Sequence, residues 1–186
     1  PDSIIEVEPD PANGSGNIVW EWHVWDHLVQ HFDATKPNYG VIDQHPELVN
    51  LNYPPFAPGN GDWNHVNSID YNADLDQILV SSHNQNEIWI IDHSTTTLEA
   101  AGHTGGARGH GGDLLYRWGN PEAYDAGGPG DKQLYGQHGP NFIPTGYVGA
   151  GNILLFNNQA PGGSRIEEIV LPVDASGNFI LGPGAS

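Results

Sequence analysis

Residues 65–93 read HVNSIDYNADLDQILVSSHNQNEIWIIDH. From Val66 to Tyr71 apolar and polar residues alternate, the pattern of a half-buried strand. The turn ADLD (73–76) leads into a second run, QILVSS (77–82), and a third follows in EIWIIDH (87–93). Short antiparallel strands in immediate succession are expected, with His65 at the mouth of the first.

Working outward, the same pattern recurs. IIEVEPD (4–10) followed by GNIVWEWHV (16–24), EIWIIDH followed by GDLLYRWGN (112–120), and EEIVLPVD (167–174) followed by GNFIL (177–181) are three versions of one hairpin. Each has an alternating strand, an acidic turn, a Gly-polar opener and a second strand. A further pair of strands precedes the second and third copies: HVNSIDYN with QILVSS, and QHGPNFIP (137–144) with GNILLFNN (151–158). The repeating unit is four short antiparallel strands, with His65 and His138 at equivalent places 73 residues apart. Four-stranded units in tandem point to an all-β fold, an incomplete β-propeller arc of about two to three blades. Residues 1–24 would end one blade, 63–120 form a complete blade and 137–186 most of the next, with loops at 25–62 and 121–136. A closed ring needs at least about four blades. The chain is therefore expected to be part of a longer propeller, or to be completed by other chains, because an open arc leaves unpaired edges.

Two segments between blades carry their own expectations. HVWDHLVQHF (23–32) places Val24, His27, Leu28 and His31 at helical spacing and predicts a short helix. NYPPFAPGNG (52–61) is a loop by its proline and glycine content. Long loops over 94–111 and 121–136 are expected to shape a binding site.

Composition narrows the partners. The 186 residues hold 5 Lys+Arg against 23 Asp+Glu, a formal net charge of −18. A surface this acidic repels nucleic acid and anionic membranes, whose binding needs basic contacts. No run approaches the roughly 18 consecutive apolar residues of a membrane span. With Cys 0, disulfides, thiolate metal sites and cysteine nucleophiles are excluded, and export is a natural setting. Gly 25 and Pro 15 suit a fold of short strands and many turns. Asn13-Gly14-Ser15 matches a glycosylation sequon by chance.

Ten histidines stand out against so few other cations. His23, His27 and His31 would line one helix face, but they lack the glutamate of an HExxH site and read as a packing face with a polar rim. His103 and His110, in GHTGGARGHGGD (102–113), read as surface residues of a glycine loop, so no metal is expected. Calcium has no support either, since no run follows the EF-hand order. No GxSxG occurs, and the glycine loop lacks the strand-then-helix setting of a nucleotide cradle. His65 and His138 differ, because the innermost strand of every propeller blade lines the central channel. Two imidazoles there can bind an anion or exchange protons near neutral pH. Arg117, inside LLYRW, is expected to pair with an acidic neighbour. Arg165 follows an inner strand, at a channel mouth, where a guanidinium can bind sulfate or phosphate.

Together DWNHVNSIDYN, SSHNQNEIWIID, GDLLYRWGNPEAY, LYGQHGPNFIP and GNILLFNN resemble the arylsulfotransferase family, the PAPS-independent aryl-sulfate sulfotransferases, over essentially the whole chain. The resemblance implies a six-bladed β-propeller, periplasmic or extracellular and without a cofactor. It also implies sulfuryl transfer from an aryl sulfate ester to a phenol through a sulfohistidine. His65 matches the histidine of the family's DW-x-H-x-NS motif and His138 that of its QH motif; both would bind the sulfate. Arg165, in FNNQAPGGSR (156–165), would stabilise its charge, though from a longer spacing than the family pattern. Trp63, Asn67, Gln137 and Asn158, from the same motifs, are the expected substrate-binding residues. The sulfuryl-accepting histidine belongs to a later blade, beyond Ser186. The competing expectation is a secreted propeller that binds or assembles without catalysis.

Overall fold

A computed structural model describes residues 2–53 and 61–180. The chain is all-β. Strands β1 (Ser3–Asp10) and β2 (Ser15–His23) form an antiparallel hairpin, with a register shift between Glu6 and Val7. Two-residue strands β3 (Leu28–Val29) and β4 (Val49–Asn50) pair in parallel. Strands β5 (Val66–Asn72), β6 (Gln77–Ser82), β7 (Glu87–Asp92) and β8 (Leu114–Trp118) make a four-stranded antiparallel sheet in sequence order. The single helical turn α1 (Thr97–Ala100), closed by a capping box between Thr96 and Glu99, lies in the β7–β8 connection. Strands β9 (Gln137–Phe142), β10 (Ile153–Asn157) and β11 (Arg165–Ile169) form a three-stranded antiparallel sheet. Among the described residues no sheet closes on itself.

The four-stranded sheet is the middle layer, which explains why β6 and β7 are nearly continuous apolar runs. Side chains alternate across a strand. Ile78, Val80, Trp89 and Ile91 therefore meet Trp20, Trp22 and Val24 on one face. Leu79, Ile88 and Ile90 meet Phe142, Ile153, Leu155 and Ile169 on the other. The outer layers are covered on one side only: Ile5, Val7 and Ile18 of the hairpin and Ile166 of β11 are exposed.

A buried ion pair ties the layers to the long connection before β5. Arg117 on β8 donates from Nε to Glu87 Oε1 at 2.9 Å and from a terminal nitrogen to Oε2 at 2.5 Å, with both side chains fully buried. Its other terminal nitrogen donates to the carbonyls of Leu48 (2.8 Å) and Pro46 (3.3 Å), and the guanidinium lies over the Tyr124 ring. Burial pushes the Glu87 carboxyl up, against the pull of Arg117 and of the Trp89 indole N–H. Burial also pushes the Tyr124 hydroxyl up to about 12. The acidic partner expected for Arg117 is thus Glu87.

Hydrogen bonds seat the third layer on the central sheet, led by one buried amide. Gln137, at the start of β9 and fully buried, donates from Nε2 to Ser81 Oγ, to the Ser82 carbonyl and to the Glu87 carbonyl, at 2.9–3.1 Å. Opposite it, Asn67 Nδ2 donates to the Gln137 carbonyl at 2.9 Å, and Asp70 accepts from the Phe142 N–H at 2.7 Å.

Two sequence expectations need correction. Residues 23–32 do not form a helix: Val24–Asp26 is one 3-10 turn without a side-chain cap, and β3 follows at once. Tertiary pairing outweighs the helical spacing, because the His27 and Val29 carbonyls accept from Val49 and Leu51 of the returning chain. His23, His27 and His31 consequently share no face; His27 is buried and His31 exposed. The third hairpin is also shorter than expected. Strand β11 stops at Ile169, ahead of Pro172, which has no N–H to donate, and among the described residues the hairpin's second half contributes the isolated bridge Val173–Phe179 and no strand. Most of the loop expected over 52–61 lies outside the described residues.

Arg117→Met strands the Glu87 carboxylate in the core and is expected to cost about 3–5 kcal/mol in urea unfolding. Replacing Glu87 as well by Gln should restore part of that loss. Gln137→Leu leaves three buried acceptors without their donor and is expected to cost roughly 1–3 kcal/mol for each that stays dry, read from the same urea midpoint.

Candidate functional site

The strand pairing builds the site. In the β5–β6 hairpin Val66 pairs with Ser82, so the residue before β5 must stand beside the residue after β6. Those residues are His65 and His83. The turn is knitted by backbone bonds from His83 N–H to the His65 carbonyl and from Asn84 N–H to the Asn64 carbonyl, each 3.1 Å. Asn84 Nδ2 reaches the Asp62 carbonyl at 2.8 Å, and Ser82 Oγ the Asn64 carbonyl at 3.2 Å. His65 itself sits at φ 51°, a left-handed conformation uncommon outside glycine, and these bonds hold it there.

Strand β9 brings the third ring. Asn86 Oδ1 accepts from the Gly136 N–H at 2.8 Å, and the Gln137 lock completes the seating. Gly136 takes φ 55°, and a Cβ there would stand 3.2 Å from His83 Nε2. The outcome is a row of imidazoles: His65 and His83 centroids are 5.0 Å apart, and His83 and His138 centroids 5.4 Å.

All three rings are held through the same nitrogen. Nδ1 lies 2.5 Å from Asp62 Oδ2 in His65, 3.0 Å from Asn84 Oδ1 in His83 and 3.0 Å from the Gly136 carbonyl in His138. Each partner oxygen can only accept, so Nδ1 carries the proton and Nε2 is the remaining atom of each ring. Protonated, a row of three Nε2–H groups binds an oxyanion; neutral, each Nε2 accepts a proton or attacks an electrophile. Residues flanking the histidines in sequence carry buried polar atoms without a hydrogen-bond partner among the described residues: Asn64 Nδ2, Asn67 Oδ1 and Gln137 Oε1.

The structure thus joins His65 and His138 and adds His83, which the sequence reading did not single out. Its signal lay in the hairpin register, which puts the first residue after β6 next to the last before β5. The other expected site residues are placed differently. Trp63 is buried in the core, its indole N–H donating to the Tyr53 carbonyl at 3.0 Å. Gln137 lies behind the row as its anchor, and Asn67 bridges β5 to β9. Asn158 follows β10, and its carbonyl accepts from Ser164 Oγ. Arg165 opens β11, two strands out from β9, where it pairs with Glu167 and lines a pocket with Tyr116, Trp118 and Gln133.

Side chains that converge tightly enough for a metal ion are found elsewhere. Among the described residues, ligand atoms of His27, His103 and Asp113 lie within 4.8 Å of one another.

Among the described residues no helix is long and apolar enough to cross a membrane. No curated protein and no solved structure matches the chain. A protein-family model does: the one described as Arylsulfotransferase (ASST) matches residues 1–174. That match takes in every strand and the whole histidine row, and the chain belongs to the arylsulfotransferase family.

Proposed function

We propose that the chain serves sulfuryl transfer from an aryl sulfate ester to a phenolic acceptor, with His65, His83 and His138 holding the sulfate. The observation that carries this reading is the row of three rings, each tethered through Nδ1 and each left with Nε2. Sulfuryl transfer develops charge on the sulfate oxygens and on the leaving phenolate, and fixed donors at those atoms lower the barrier. In the first half-reaction the S–O bond to the aryl group breaks. Its electron pair stays on the phenolate oxygen, which takes a proton from an Nε2–H. Sulfur bonds to a histidine nitrogen, forming the sulfohistidine. In the second, the acceptor phenol oxygen attacks sulfur, the N–S pair returns to the ring, and the phenol proton passes to a neutral Nε2.

The accepting histidine, in this reading, comes from a further blade of a six-bladed propeller. The apolar side chains exposed on the outer layers, Ile5, Val7, Ile18 and Ile166, support further blades packed there as the three layers pack on each other. An exported location, periplasmic or extracellular, suits a chain with Cys 0.

Steady-state assays of the full-length protein, carrying the blade that supplies the accepting histidine, with a chromogenic aryl sulfate and a phenol test the assignment. His65→Ala, His83→Ala and His138→Ala are each expected to lower kcat by about 10²–10³. If all three leave transfer intact, the row is not the sulfate site; a wild-type protein with no transfer would leave a non-catalytic binding module. Arg165→Ala lowers kcat as well if the guanidinium stabilises the transferring group, and leaves it unchanged if Arg165 serves only Glu167.

A further inference from the structure

We propose that His27, His103 and Asp113 form a binding site for a divalent transition-metal ion of the zinc type, separate from the His65–His83–His138 row. His27 comes from the turn between β2 and β3, and the other two from the glycine-rich connection between α1 and β8. His27 is wholly buried, and both ring nitrogens face oxygens: Nε2 lies 2.8 Å from the Ala100 carbonyl and Nδ1 2.8 Å from Asp113 Oδ1. A carbonyl only accepts, so Nε2 carries a proton, and in the neutral ring Nδ1 presents a lone pair to a carboxylate oxygen. His103 Nδ1 points at that same oxygen, also at 2.8 Å. With a proton on either Nδ1 these contacts are ordinary hydrogen bonds; once those protons leave, two imidazole lone pairs and a carboxylate oxygen converge on one place, where a metal ion can take the protons' position.

The surroundings are those of a metal site. A metal-bound histidine ordinarily donates its other N–H to a backbone carbonyl or carboxylate, which fixes the ring; Ala100 does this for His27. Trp22 stacks on the His27 ring with planes 3° apart, and its indole N–H donates to the Gly112 carbonyl at 2.7 Å. Gly112 has to be glycine, because a Cβ there would collide with the Ala100 carbonyl oxygen and stand 2.7 Å from His27 Nε2. Two imidazoles and one carboxylate suit zinc, nickel or copper rather than calcium or magnesium, which prefer all-oxygen sites. Zinc bonds of about 2.0–2.1 Å put neighbouring tetrahedral ligands roughly 3.3 Å apart. The His103 contact opens that far by a small movement of the His103 side chain, which is 60% exposed, and the His27 contact by a comparable shift of the Asp113 carboxylate away from the buried ring. The fourth position then falls on the solvent side, where water completes it. Such an ion would pin the glycine-rich connection to the β2–β3 turn.

Titration of the chelator-treated protein with ZnCl₂ in a calorimeter is expected to show one saturable equivalent, with saturating zinc raising Tm. His103→Ala, an exposed substitution that leaves the fold intact by circular dichroism, should weaken that binding at least tenfold and remove the Tm shift. Asp113→Asn should do the same, and His83→Ala should leave zinc affinity as in the wild type. Absence of a stoichiometric event overturns the proposal. So does zinc affinity that survives His103→Ala, or that disappears in His83→Ala.

Discussion

The fork between Arg117 and Glu87 is the constraint on which the other parts of the molecule hang. Two opposite charges lie where water cannot reach, and each is tolerable only because the other is there. Glu87 is then bound on every side. Its carboxylate takes Arg117 and the Trp89 indole, while its backbone carbonyl takes Gln137. Arg117 carries the connection before β5 through Pro46 and Leu48. One residue pair in the central sheet therefore positions the strand that bears His138 and the segment that packs behind β3 and β4.

Antiparallel pairing does the rest at the site. A hairpin returns the chain to where it began, so the approach to β5 and the exit from β6 become neighbours, and His65 meets His83. The third ring arrives because Asn86 and Gln137 clamp β9 against that same turn. Chemically, the common tether at Nδ1 matters more than the number of histidines. It sets one tautomer for the row and leaves like atoms free, which suits a single oxyanion better than a series of unrelated ligands.

The two histidine groups show how context divides one residue type. Around His65 the tethers are two neutral oxygens and a carboxylate, spread over three rings. Around His27 two rings share one buried carboxylate oxygen, with backbone carbonyls and an indole holding the shell. The first arrangement suits an anion and the second a cation, within a chain of net charge −18.

Much of this was legible in the sequence. Alternation in VNSIDY, the apolar runs of β6 and β7, and the hairpin pattern in its first two copies defined the strands and their antiparallel order, because period-two patterning is a local property. The repeat also paired His65 with His138, and an arginine within an otherwise apolar strand required an acidic partner. Other features depended on contacts between distant segments. The helical spacing of residues 23–32 yielded to pairing with Val49–Leu51, since backbone bonds from another segment outweigh a weak local preference. His83 entered the site through register, Arg165 was placed beside Glu167 by β11, and Trp63 and Gln137 were drawn inward by burial. The junction of His27 with His103 and Asp113 spans more than seventy residues and follows no spacing rule. Residue type and periodicity, which each position carries by itself, determined the strands; proximity, which only packing creates, decided which histidines stand together and which oxygens they face.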